Sequence, residues 1–161
     1  MPRIRFIVNP VAGHGRAKAN WEKAKPLADS FGDYAVRFTD GPMHAAELAR
    51  QAAEEGCERV GVFGGDGTLN EAGNGLVGTG VALALIPTGS ANDWVRQFPI
   101  PTDIGQAVRL AFTGSRASVD VGLVESANGR RYFFNMIGSG FDAVAADRVN
   151  RFGPVLKLLP G

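Results

Sequence analysis

From Arg3 to Thr113, short apolar runs alternate with stretches of helical period, and each run stops at a loop carrying glycine or proline. Arg3 to Val8 reads as a buried strand ended by Asn9-Pro10, and Ala17 to Phe31 as a helix. Pro26 is expected to kink or split that helix, because proline lacks the N–H and clashes with the preceding turn. Tyr34 to Phe38 reads as a second strand. Met43 to Glu55 puts Ala45, Leu48, Ala49 and Ala52 on one helix face, with Gly56 placed to end it. Arg59 to Phe63 is a third strand, running directly into Gly64-Gly65-Asp66-Gly67. Thr68 is then expected as the N-cap of a helix, with Glu71 completing a capping box. Val81 to Ile86 is almost wholly apolar, as in a strand covered on both faces. A short helix begins near Ala91. Thr102 to Thr113 places Ile104, Ala107, Val108 and Ala111 on one helix face. Such alternation implies a parallel sheet with helices on both sides, a three-layer α/β/α Rossmann-like domain.

The pattern changes at Ser115. Ala117 to Glu125 and Arg131 to Ile137 read as two strands joined by Ser126-Ala127-Asn128-Gly129, and Asn-Gly is a strong hairpin signal. Phe141 to Phe152 reads as a helix, and the chain closes on the apolar Val155 to Gly161. The expected division is therefore 1–114, an α/β domain, and 115–161, the first elements of an incomplete, antiparallel β-rich second domain. Roughly 45 residues are too few for an independent core. The expectation is that this chain is the N-terminal portion of a longer architecture.

Composition narrows the function classes. Net charge is +1, from 17 basic and 16 acidic residues, with no basic block, which argues against a nucleic-acid partner. The single cysteine, Cys57, cannot form an internal disulfide, as suits a reducing cytoplasm. No stretch reaches the ~18 apolar residues of a membrane span, so any membrane contact is expected to be transient and peripheral. Glycine is the deviation, at 22 of 161 residues, and it clusters at the ends of apolar runs.

Chemistry is concentrated in three of those loops. Gly64-Gly65-Asp66-Gly67-Thr68-Leu69-Asn70-Glu71 lies between a strand and a helix, at the strand end where doubly wound sheets bind ligands. Its glycines let backbone approach a ligand, and the helix start favours an anion. A bare Asp66 carboxylate would repel phosphates unless it holds Mg²⁺ through water or polarises an attacking hydroxyl. In the plainer alternative, it only caps a tight turn. Asn9-Pro10-Val11-Ala12-Gly13-His14-Gly15-Arg16 and Pro87-Thr88-Gly89-Ser90-Ala91-Asn92-Asp93-Trp94 follow the first and fourth strands, at the same expected sheet edge. The spacing is neither Walker A nor Gly-x-Gly-x-x-Gly. His14, His44 and Cys57 make no zinc set, and no metal ligands are assigned.

Taken together, these three loops resemble the catalytic-domain motifs of the diacylglycerol kinase family, the branch with bacterial lipid kinases and sphingosine kinases. Asn135 to Asp142 resembles the segment that opens that family's second domain. The resemblance implies a first domain of the NAD kinase/diacylglycerol kinase type that binds ATP. It also implies Mg²⁺-assisted transfer of the γ-phosphoryl group to a lipid substrate with a free hydroxyl. By position it implies nucleotide-site roles for Asn9, Gly13, Thr39, Gly64, Gly65, Asp66, Gly67, Thr68, Leu69, Asn70 and Ser90, with Asp66 catalytic. Ser90 stands where threonine is usual. The resemblance places the general base and a structural Mg²⁺ site in the second domain, and the lipid in the cleft between domains. An NAD kinase-like phosphotransferase shares the Gly-Gly-Asp-Gly-Thr run, but the Pro87 to Asp93 loop argues against it. A non-catalytic nucleotide-binding fragment is the third reading. Self-association into a homodimer is left open.

Overall fold

The computed structural model describes residues 3–127 and 129–135. Its central sheet has four parallel strands, β1 (Ile4–Val8), β2 (Tyr34–Phe38), β3 (Arg59–Gly64) and β4 (Ala82–Pro87). They are ordered β2-β1-β3-β4. The helices between them are α1 (Arg16–Phe31), α2 (His44–Glu54) and α3 (Asp66–Leu76), followed by α4 (Asp93–Gln97) and α5 (Ile104–Thr113). The strands alternate their side chains between two cores. Ile7, Val60, Val62 and Leu85 pack with the apolar faces of α2 and α3. Ile4, Phe6, Val8, Phe63 and Ile86 pack with α1 and α5 on the other side. Three layers result, as the alternation predicts.

Aromatic rings dominate the second core. Phe6 sits 5.4 Å from Trp21, 5.7 Å from Phe63 and 5.5 Å from Phe112, centroid to centroid. A Cβ on Gly61 would lie 2.5 Å from the Phe6 ring, so glycine is what lets that ring cross β3. Full burial of a side chain of this size stabilises by about 1.5–3 kcal/mol. Arg5 is also buried, at 1% exposure, and is paired with Glu55 beyond α2. The pairing offsets the cost of taking a guanidinium out of water.

Several elements differ from the sequence expectation. α1 runs unbroken through Pro26. Pro26 and Glu22 lie on the exposed side, so the carbonyl that proline leaves unbonded can be satisfied by water, while Ala17, Trp21, Ala24 and Ala28 anchor the other face. α3 begins at Asp66, not after Thr68, and its N-cap is Gly65 with no side-chain bond. The expected Thr68–Glu71 capping box is absent because Thr68 is already inside the helix. β4 is an edge strand whose Ala82, Leu83 and Ala84 are only half-buried, so two-sided cover is confined to Leu85, Ile86 and Pro87.

Beyond α5, Ser115 to Asp120 is exposed and irregular, and the strand expected from Ala117 starts only at Gly122. β5 (Gly122–Ser126) and β6 (Gly129–Phe133) form the antiparallel hairpin, with Val124 opposite Arg131 and Ser126 opposite Gly129. The hairpin packs on α3. The end of the second expected strand, at Ile137, and the helix expected at Phe141 to Phe152 lie outside the described residues, as do Asp142 and the apolar C-terminus.

Candidate active site

All strands of the central sheet point the same way, so the loops after β2, β1, β3 and β4 fall in that order along one rim. Thr39, just past β2, is buried and donates its backbone N–H to the Val8 carbonyl at 2.9 Å. Asn9, just past β1, donates from Nδ2 to Thr68 Oγ1 at 2.9 Å, while its Oδ1 accepts from the Val11 amide at 3.2 Å. It thereby fastens the first loop to α3. Gly13, His14 and Gly15 follow with φ of 59°, 60° and 86°.

The glycines bring these loops against one another. A Cβ on Gly13 would lie 1.9 Å from the Thr88 carbonyl oxygen. A Cβ on Gly89 would lie 2.4 Å from the Gly65 Cα, and one on Gly64 would lie 2.6 Å from the Thr68 side chain. Asn92, itself at φ 52°, shapes the third loop: its Oδ1 accepts from the Gly89 amide and its Nδ2 donates to the Gly89 carbonyl. The three sequence motifs thus converge at one place. Gly67 faces open space there.

Asp66 lies at that convergence. Its Oδ2 accepts the Asp93 amide at 3.1 Å, and its Oδ1 accepts the Trp94 amide at 3.1 Å and Asn135 Nδ2 at 2.9 Å. The first two bonds satisfy backbone donors at the start of α4. Burial alone would raise the Asp66 carboxyl pKa, but the hydrogen bonds from Trp94, Asp93 and Asn135 outweigh it and hold the group below the ordinary aspartate value. Asp66 is therefore an anion at neutral pH and a weak proton acceptor.

A cavity of about 540 Å³ opens beside it, lined by Asp66, Asn70 and Asp93 on one side and by hairpin residues including Val124, Arg131 and Phe133 on the other. The hairpin is held there from α3. Asn74 accepts the Tyr132 amide at 2.9 Å and donates to the Tyr132 carbonyl at 2.8 Å, the pairing a neighbouring strand would make. Gly73 leaves room for the Phe134 ring, which a Cβ would approach to 2.2 Å. Trp94 lies 4.6 Å from Phe98 and 5.8 Å from Phe134.

The residues expected at the site divide into groups. Asp66 and Asn70 line the cavity. Asn9, Gly13, Gly64, Gly65 and Thr68 build and lock the rim. Thr39 lies along it, and Ser90 is exposed on the third loop. Leu69 turns away: its side chain is 1% exposed in the core and its amide bonds the Gly65 carbonyl. Asn74 and Arg131 were not singled out from sequence. Asn135 was noted only within its motif. An asparagine on a helix carries no local sign that it will pair with a distant strand.

Comparison with known proteins finds relatives in sequence and in fold. The sequence pattern described as "Diacylglycerol kinase catalytic domain" matches residues 3–124. A protein of Mycobacterium tuberculosis (strain ATCC 25618 / H37Rv) named "Diacylglycerol kinase" is 32% identical over 92% of this chain and 49% of its own length. One of Klebsiella pneumoniae (strain 342) named "Probable lipid kinase YegS-like" is 34% identical over 87% of this chain and 41% of its own. The crystal structure of a diacylglycerol kinase from Bacillus anthracis str. Sterne superposes with a TM-score of 0.59 at 36% identity, covering 67% of this chain and 40% of that one. The chain spans about half the length of the curated relatives it matches.

Proposed function

Because this chain belongs to the diacylglycerol kinase catalytic-domain family, we propose that it carries the nucleotide-binding and phosphoryl-positioning part of an ATP-dependent lipid kinase. In the reaction, the lipid hydroxyl oxygen bonds the γ-phosphorus as the bond to the β–γ bridging oxygen breaks. The products are a phosphorylated lipid, ADP and the hydroxyl proton. The observation that carries the reading is the Asp66 carboxylate, set where three glycine loops meet and turned to a cavity with a partly apolar wall.

The rim fits a triphosphate. α3 starts without a side-chain cap, so its first-turn amides are available to phosphate oxygens, and Gly67 adds no side chain in front of them. The acceptor side fits Mg²⁺. Asp66 Oδ2 accepts the Asp93 amide and keeps a lone pair to spare, and the neighbouring Asn135 Oδ1 is buried with no partner among the described residues. Asp66 and Asn135 would hold the ion through its water shell, and it would supply charge neutralisation at the phosphates. With its low basicity, Asp66 aims the acceptor hydroxyl rather than removing its proton. Val124, Phe133 and Phe134 on the cavity wall favour an acyl-bearing acceptor over the polar sugar an NAD kinase-like site would receive. Contact with the membrane is proposed to be transient and peripheral. No helix among the described residues is long and apolar enough to cross a membrane.

The test is a labelled-ATP assay against a lipid panel, with Asp66→Ala beside the wild type. Transfer should fall by ~10²–10⁴-fold. Loss of the α4 cap should lower stability by about 1–2 kcal/mol, leaving the protein folded by circular dichroism. Near-normal lipid phosphorylation by the folded variant would refute the assigned role.

A further inference from the structure

His44 opens α2, where the chain returns from the loop after β2. Its Nδ1 accepts the backbone amide of Asp40 at 3.1 Å, and the Asp40 carboxylate reaches the same nitrogen at 2.5 Å. Without a proton, Nδ1 accepts the amide; with one, it donates to the carboxylate. In either state the ring closes the loop from Asp40 to Met43 onto its own start. The imidazole is the anchored partner of the two: the His44 side chain is 23% exposed and that of Asp40 is 84%.

A plain helix start would not need this closure. Met43, just before His44, is held at φ 64°, a left-handed conformation that is strained for a residue with a side chain. Such strain persists only where the surrounding contacts over-determine it, and it gathers at functional sites. What the loop adjoins here is the rim. β2 is an edge strand, so Thr39 stands at the outer end of the row of loops. Thr39 is buried, and its amide bonds the carbonyl of Val8. The residue after Val8 is Asn9, which bonds Thr68 in the first turn of α3. Thr39 is thus fixed toward β1 by one hydrogen bond. Beyond it, the first tie among the described residues is that of Asp40 to His44.

We propose that His44 is a positioning residue for the nucleotide: by holding Asp40 it keeps Thr39, and with it the outer end of the rim, in the place where the triphosphate is received. The inference rests on the nucleotide-binding reading above and adds to it a residue that acts through its neighbour.

Calorimetric titration of the full chain with Mg-ATP, with no lipid present, tests it. His44→Ala should weaken ATP binding about fivefold, the order of one lost hydrogen bond. His44→Asn should stay within about twofold of wild type, because its short amide offers both an acceptor and a donor close to where Nδ1 stands. Equal affinity in wild type and His44→Ala overturns the proposal. Equal weakening in both variants overturns it too, since the tie to Asp40 would then not be what matters. A lower melting midpoint for His44→Ala with unchanged ATP affinity would make the residue structural only, which is also a refutation. These outcomes leave the nucleotide reading standing; a wild-type chain that binds no ATP sinks both.

Discussion

At the residue scale, Asp66 uses the same two oxygens to hold the start of α4 and to face the cavity. A carboxylate tied down by backbone amides cannot swing toward substrate, so its aim is fixed before anything binds. The glycines around it serve that fixity. Read from sequence, they make room for a ligand; in the structure, Gly13, Gly65 and Gly89 make room for other loops. This difference can be measured. Gly13→Ala must hold an L-residue at φ 59° and also push its methyl into the Thr88 carbonyl. Its expected cost is about 1–3 kcal/mol, with a higher KM for ATP as the rim parts. Gly15→Ala meets the same left-handed penalty at φ 86° but has open space around it, so it should cost only about 1 kcal/mol. Equal losses in denaturant melts of the two variants would count against the loop-contact role of Gly13.

At the element scale, α3 matters most. Its first residue is Asp66, and near its end Gly73 and Asn74 receive the hairpin. Replacing Asn74 with leucine would strand both polar groups of Tyr132, at about 1–3 kcal/mol each. Amide exchange should then speed up at Tyr132 and Phe133 and stay unchanged at Val60 to Phe63. A uniform change across both would mean that Asn74 supports the whole domain instead. Local pattern made most elements legible, because burial against the sheet imposes the period on α2 and α5. It misplaced the start of α3 because Thr68 has the chemistry of a cap, yet its hydroxyl is taken by Asn9 from a loop far away in sequence. It also overrated Pro26, whose missing bond falls on a wet face.

At the scale of the whole molecule, the two sheets are linked by Ser115 to Asp120, an exposed stretch without helix or strand. Among the described residues, Arg116 ties it back, through the Glu58 carbonyl at 3.3 Å and the Glu58 carboxylate at 3.5 Å. If the division at 114/115 marks a true domain boundary, brief proteinase K digestion should cut first within this stretch and leave the α/β part intact. Early cuts between β1 and α5 would argue against it. The convergence of the rim loops was legible in the sequence because parallel strands must end on the same side. The cavity's far wall was not, because it depends on how the hairpin lands on α3, which no spacing within either segment encodes.

Asp66 and Asn74 are eight positions apart on one helix, so their bearings are set by winding as much as by identity. Inserting a single residue between them would rotate the amide by about 100° and advance it about 1.5 Å. Carboxylate and amide could not then both keep their partners. The span of α3 is thus a gauge for the chemistry, and a change of length there should be more damaging than many changes of side chain.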